Sequence, residues 1–314
     1  MARRIVVAAA QMGPVARAES RSHVVDRLIT MMREAHRRGA KLVVFPELAL
    51  TTFFPRWVLK DEDEVDSFFE TEMPNNATQP LFEVARELGV GFHLGYAEIE
   101  ADAGGRKHHY NTAILVDAKG KIAGKYRKVH LPGYAEPQPG HPVQHLEKRY
   151  FEVGNLGFPA FRTMDSIMGM CICNDRRWPE TYRVLGLQGA EIIMLGYNTP
   201  SANPFSASEP LHLGMFHNLL SMQAGAYQNA AWVIGAAKAG IEEGVHHMGG
   251  SCIIAPTGEI AALATTEGDE VITAECDLDK GTYIRETVFN FAAHRRIEHY
   301  KLITEQTGVV PPSE

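Results

Sequence analysis

Cysteine is scarce in this 314-residue chain, which carries four: Cys171, Cys173, Cys252 and Cys276. Four thiols at such spacings build no disulfide framework, so a reducing compartment, the cytoplasm, is expected. Long apolar runs are absent, and no stretch approaches the roughly 18 to 20 residues that a membrane span needs. Behind Arg3-Arg4 only residues 5–10 are continuously apolar, too short for the hydrophobic part of a signal peptide. Positive charge is not in excess either. With 31 Lys and Arg against 38 Asp and Glu, the net charge of −7 argues against nucleic acid or an anionic membrane as the main partner. Gly89, Gly91 and Gly95 do not match a dinucleotide fingerprint, and no phosphate loop is present. His108-His109 and His246-His247 lack metal-ligand context, and no second cysteine pair accompanies Cys171 and Cys173. Neither a metal nor an organic cofactor is expected.

What is present reads as an α/β protein. Hydrophobic residues make up 45% and charged ones 22%, ordinary for a soluble globular chain, and no repeat or linker divides it. Residues 1–314 are expected to form one domain, with a mobile or partner-contacting tail from about residue 305. Apolar runs at 4–10, 42–45, 91–99, 110–117, 121–126, 166–172, 191–196, 231–236, 252–255, 260–264 and 271–276 suit strands. Apolar residues at helical spacing predict helices over about 19–38, 79–88, 179–188 and 209–229. Strands alternating with helices imply sheets covered by helices.

The stretch around which the rest is organised runs from Met170 to Glu180, MCICNDRRWPE. A buried strand leads into it. Pro179 and Glu180 suit the first turn of a helix, where proline loses no hydrogen bond and a carboxylate meets the positive dipole end. Cys173 is therefore expected on a sharp turn, its sulfur near free N–H groups that lower a thiol's pKa. A lone cysteine is also commonly a buried, inert core residue. The adjacent Arg176 and Arg177 weaken that alternative, because a core turn has no use for them. Two other strand ends carry charge. Glu47 closes the run Leu42 to Phe45, and is either solvent-facing or functional. Lys128 follows the hairpin over Ala118-Lys119-Gly120, within the basic stretch Tyr126-Arg127-Lys128-Val129-His130. Such a stretch is either a solvated sheet edge or a positive charge offered to a developing oxyanion.

Together, Phe45-Pro46-Glu47, Tyr126-Arg127-Lys128 and Ile172-Cys173-Asn174 resemble the Glu-Lys-Cys signature of the carbon–nitrogen hydrolase (nitrilase-like) superfamily, in order and separation and over almost the whole chain. The stretches PELALTTFFPRW from Pro46, KYRKVHLPG from Lys125, HLEKRYFE from His145, CNDRRWPE from Cys173 and GYNTP from Gly196 resemble most closely the branch acting on N-carbamoyl-D-amino acids. This resemblance implies a four-layer αββα sandwich that pairs into a homodimer or homotetramer and needs no cofactor. It implies that Glu47 is the general base, Lys128 the oxyanion stabiliser, Cys173 the nucleophile and Glu147 the second glutamate beside the lysine. It further implies that Asn174, Arg176, Arg177, Asn198 and Thr199 hold a small-molecule substrate, an N-carbamoyl amino acid, with His130 and His145 lining the same site. The proline-rich loop 134–143 aligns with nothing. Two other readings compete: a sister amidase or nitrilase with a neutral substrate, disfavoured by paired guanidinium groups that suit a carboxylate, and a catalytically inactive interaction domain, disfavoured by the intact triad. A papain-like protease has no matching cysteine neighbourhood.

Overall fold

Each half of the chain builds most of one sheet and covers its outer face with helices, and the last strand crosses back to the edge of the first sheet. The computed structural model describes residues 3–141, 143–206 and 208–313. In the first half β1 (Arg4–Gln11), β2 (Leu42–Val44), β3 (Gly91–Ala101), β4 (Lys107–Val116) and β5 (Ile122–Arg127) alternate with α1 (Arg21–Arg37) and α2 (Gln79–Leu88). The second half supplies β6 (Ala160–Thr163), β7 (Ser166–Ile172), α3 (Pro179–Leu187), β8 (Ile192–Tyr197), α4 (Leu211–Asn229) and β9 (Trp232–Ala237). It continues with β10 (Ala239–Glu242), β11 (Val245–Met248), β12 (Cys252–Ile254), β13 (Ile260–Leu263) and β14 (Glu270–Asp277). One six-stranded sheet has the order β14-β1-β2-β3-β4-β5 and the other β13-β12-β9-β8-β7-β6, while β10 and β11 form a hairpin apart from both.

Period-two alternation distributes the strand residues between two cores. In β1, Ala8 and Ala10 face α1 and α2, packing with Val24, Leu28, Met32, Leu81 and Phe82. Val7 and Ala9 face the other way, into the space between the sheets, with Met168, Met170 and Leu195. The second sheet buries its far face under Tyr182 and Leu185 of α3 and Met222 and Ala226 of α4. The result is the expected αββα layering. Sequence periodicity missed β6, β10 and β11, whose strands of four residues are too short to show a pattern. Beyond the short helix Lys301–Glu305, residues 306–313 lie fully exposed.

The loops at the carboxyl ends of β2, β7 and β8 meet between the sheets. Gly95 and Gly196 make that meeting possible. A methyl on Gly95 would sit 2.7 Å from the Glu47 Cα, and one on Gly196 would overlap the Glu47 nitrogen. Glycine from each sheet thus lets the Pro46-Glu47 backbone pass between them.

Candidate active site

Glu47 leaves β2 and immediately enters a strained turn, since Leu48 has φ of +45°. Cys173 does the same after β7, with φ of +46°. Left-handed backbone at a residue with a Cβ costs of order 1–3 kcal/mol and is found where the surrounding structure enforces it. Here the enforcing group is Asp175, which is fully buried. Its carboxylate accepts hydrogen bonds from the Ile172 N–H (2.9 Å), the Tyr126 hydroxyl (2.7 Å) and the His130 N–H (2.9 Å). A 3-10 helix, Cys173–Arg177, therefore intervenes between β7 and α3. Because the first N–H groups of a helix have no partner within it, that of Asn174 is available beside the sulfur.

Beneath Cys173 lie three charged side chains removed from solvent. Lys128 follows β5, where its N–H donates to Asn111 O at 2.8 Å, and its Nζ donates to Glu47 Oε1 (2.7 Å) and to Glu147 Oε2 (2.7 Å) and Oε1 (2.9 Å). Glu47 is held at every oxygen: Asn111 Nδ2 donates to Oε1 at 2.8 Å, Asn198 N to Oε2 at 3.0 Å, and Asn198 Nδ2 to its carbonyl at 2.9 Å. His145 Nε2 lies 2.9 Å from Glu147 Oε1. Burial alone would lower the Lys128 pKa, but Glu147 and Glu47 reverse it and raise the amine well above its ordinary range. Burial opposes ionisation of Glu147, yet Lys128 and His145 outweigh it and hold the carboxyl below its usual value. The Lys128 ammonium and the Glu147 carboxylate are thus charged together at neutral pH.

The thiol behaves differently from expectation. Burial, then the Glu47 carboxylate, push the Cys173 pKa up, and Lys128 and Arg176 only partly oppose them. The helix N-terminus does not prevail, because the sulfur is almost wholly buried and stands beside two carboxylates. A standing thiolate would add another negative charge to a site whose Glu47, Glu147 and Lys128 already sum to −1. Moving the proton from sulfur to Glu47 leaves that sum unchanged. The arrangement suits a thiol that ionises only as it reacts.

A cleft opens over the sulfur, walled by Asn174, Arg177, His145, Asn198 and Thr199, all singled out from sequence. Pro132 and Pro200, both within the stretches that carry the resemblance, also line it, as do Ser201, Asn203, Phe205, Glu209 and Met248, for which sequence reasoning had no signal. The paired arginines separate. Arg176 is 1% exposed and does not line the cleft. Its guanidinium donates to Asn218 Oδ1 (2.8 Å), Thr199 Oγ1 (2.9 Å) and Cys173 O (2.6 Å) and lies over the Tyr197 ring, so it braces the turn instead of holding a substrate. Arg177 is exposed and lines the cleft mouth, with no hydrogen-bond or ion-pair partner among the described residues. Desolvation there, with the charge of Arg176, brings its pKa down to about 10, so it remains a cation at neutral pH.

His130 also departs from expectation. Its ring stacks on Trp178 at 4.9 Å and its Nδ1 meets Asp175 at 2.8 Å, away from the cleft wall. In the unaligned loop 134–143, Pro142 lies outside the described residues. Asn111, Tyr126 and Asp175 were missed. Asn111 carried a faint signal, a carboxamide inside an apolar strand run.

Strained turns presenting a thiol and a carboxylate, a lysine between two glutamates and a sandwich of two covered sheets define a class of thiol-containing hydrolases. The carbon–nitrogen hydrolase family model matches residues 6–286, and the chain belongs to that family. It is 32% identical over 303 residues to an N-carbamoylputrescine amidase of Oryza sativa subsp. japonica, covering 91% of each chain. It is 32% identical over 248 residues to a nitrilase of Pyrococcus abyssi, covering 79% of this chain and 81% of that one. Among solved structures, a carbon–nitrogen hydrolase from Helicobacter pylori G27 superposes with a TM-score of 0.81 at 24% identity, over 97% of this chain and 99% of that one. The chain is accordingly a carbon–nitrogen hydrolase of the amidase kind, and among the described residues no helix is long and apolar enough to cross a membrane.

Proposed function

We propose that this chain hydrolyses N-carbamoyl-D-amino acids to the D-amino acid, ammonia and carbon dioxide. The observation that carries the reading is Arg177, a cation on the cleft wall four residues from the thiol and without a partner among the described residues. A carboxylate held there sits one short spacer from a ureido carbon over the sulfur. Cys173 Sγ attacks that carbon as its proton passes to Glu47. Lys128 Nζ and the Asn174 N–H receive the oxyanion, each such donor being worth about 3 kcal/mol. Collapse expels the terminal nitrogen, which takes the proton from Glu47 and leaves as ammonia, giving a thiocarbamate on sulfur. Water, losing a proton to Glu47, releases the carbamate and restores the thiol. The carbamate then loses carbon dioxide. Glu147 and His145 keep Lys128 ionised and aimed, and Asn198 keeps Glu47 fixed. Handedness rests on resemblance to the D-specific branch alone. The same resemblance supports a homodimer or homotetramer without cofactor, and the scarcity of cysteine supports a cytoplasmic setting. Phe216 and Leu220 of α4, one turn apart and each more than half exposed, supply an apolar patch for assembly.

Glu209 on the same cleft favours a second reading, a ureido substrate with a cationic tail, as in the name of the rice relative. The deciding experiment offers N-carbamoyl-D-phenylalanine, its L-enantiomer, N-carbamoylputrescine and glutaramate to wild type and Arg177→Leu. The expected result is release of D-phenylalanine only, with kcat/KM reduced at least tenfold in the variant, which corresponds to about 1.4 kcal/mol. Preference for N-carbamoylputrescine, or for the L-form, overturns this reading and leaves the amide chemistry standing.

A further inference from the structure

The β10–β11 hairpin lies outside both large sheets, yet Glu242 at its turn is 1% exposed. Its Oε1 accepts from Arg56 Nη2 (2.7 Å), Phe53 N (2.7 Å) and Thr52 Oγ1 (3.1 Å), and its Oε2 from Val15 N (3.0 Å) and Lys238 Nζ (3.0 Å). Arg56 and Lys238 are also buried, Arg56 donating to the Glu242 carbonyl as well and Lys238 to the Thr51 carbonyl. Burying such ions is a poor source of stability compared with apolar packing, and the best-attested use of a buried ion pair is to fix register. None of these groups touches the thiol or the carboxylates around Lys128.

What the pair fixes is the rim of the cleft. On one side β11 is stitched to the wall after β8: Met248 N donates to Thr199 O at 3.0 Å and Ser201 N to His246 O at 2.8 Å, with His246 Nδ1 2.6 Å from Ser201 Oγ. A one-residue slip of this hairpin would turn Met248 out of the cleft. On the other side Arg56 closes the turn that carries Phe53, its Nε donating to Phe53 O at 2.8 Å, and the Phe53 ring packs 5.1 Å from that of His145. Leu146 N then donates to Pro55 O at 2.8 Å.

We propose that Glu242, with Arg56, is a positioning residue that clamps the Thr199–Ser201 and His145 walls of the cleft and so sets substrate affinity, leaving the reactivity of Cys173 to other supports. The triad side chains keep Lys128, Asn111 and Glu147 as partners when the clamp is loosened.

The test separates the two functions in Glu242→Gln, which keeps the shape and removes the charge. Iodoacetamide, a small neutral probe, reports the thiol alone, because Cys171, Cys252 and Cys276 are fully buried. KM and kcat are measured with N-carbamoyl-D-phenylalanine, or with N-carbamoylputrescine should wild type prefer it, so the outcome does not depend on the substrate proposed above. The expected result is a KM raised at least tenfold with the rate of Cys173 alkylation within threefold of wild type. An unchanged KM in a folded variant overturns the proposal, and so does an alkylation rate that falls by as large a factor as KM rises. Should Glu242→Gln not fold, the same two readouts on Arg56→Lys decide, since lysine keeps the charge and cannot reach both the carboxylate and the carbonyl of Glu242.

Discussion

Replacing Lys128 by methionine keeps the length of the side chain and removes the charge lying 2.7 Å from both Glu47 and Glu147. Both carboxylates are inaccessible to solvent, so neither can exchange the lost ammonium for water. Removing one partner of a buried ion pair typically costs 3–5 kcal/mol, out of a total stability of about 5–15 kcal/mol. The variant is therefore expected to unfold at clearly lower urea at pH 7. The pH dependence has a definite sign. In wild type the folded Glu147 carboxyl is held below its ordinary value. Its stabilising contribution is present above the unfolded pKa of about 4.3 and is lost as pH falls through the folded value. Without Lys128, burial is opposed at Glu147 by His145 alone and the carboxyl rises, so folding takes up a proton and the variant gains stability as pH drops from 7 to 5. The gap between the two proteins should narrow over that window. Ammonia release should fall at least a hundredfold at every pH, because about 3 kcal/mol of oxyanion stabilisation goes with the amine. Urea midpoints at pH 5, 6 and 7 check the first expectation and a coupled ammonia assay the second. Equal midpoints at pH 7, or a gap that widens toward pH 5, would refute the charge argument.

Cys173→Ala should abolish turnover while leaving the thermal midpoint within a few degrees, whereas Cys171→Ala, inside the inter-sheet core, should lose stability of about 1 kcal/mol and keep activity. Activity and calorimetry on the two variants check this, and equal activity losses would exclude Cys173 as the nucleophile. Gly196→Ala puts a methyl against the Glu47 nitrogen, so it should cut activity far more than its neighbour substitution Leu195→Met, and a fully active Gly196→Ala would show that Glu47 need not sit where it does.

Composition and pattern alone were enough for the broad architecture. Apolar runs of β-branched residues marked nearly every strand of four or more residues in the two large sheets, because a strand covered on both faces has no polar alternation to obscure it. The residues themselves marked the strand ends Glu47, Lys128 and Cys173, the resemblance implied roles for them, and tertiary structure decided what they face. Arg176 and Arg177 are identical in type and adjacent in sequence, yet one braces the Cys173 turn and the other stands in the cleft, a difference set by the angle of a five-residue 3-10 helix. The thiol's raised pKa depends on Glu47, 126 positions earlier, and on exclusion of water, neither of which is local. Asn111, Asp175 and the Glu242–Arg56 pair act across separations of 64, 49 and 186 residues. Burial and long-range hydrogen bonds are properties of the packed sheets, so a sequence read locally can mark the strand ends but not the partners that packing brings to them.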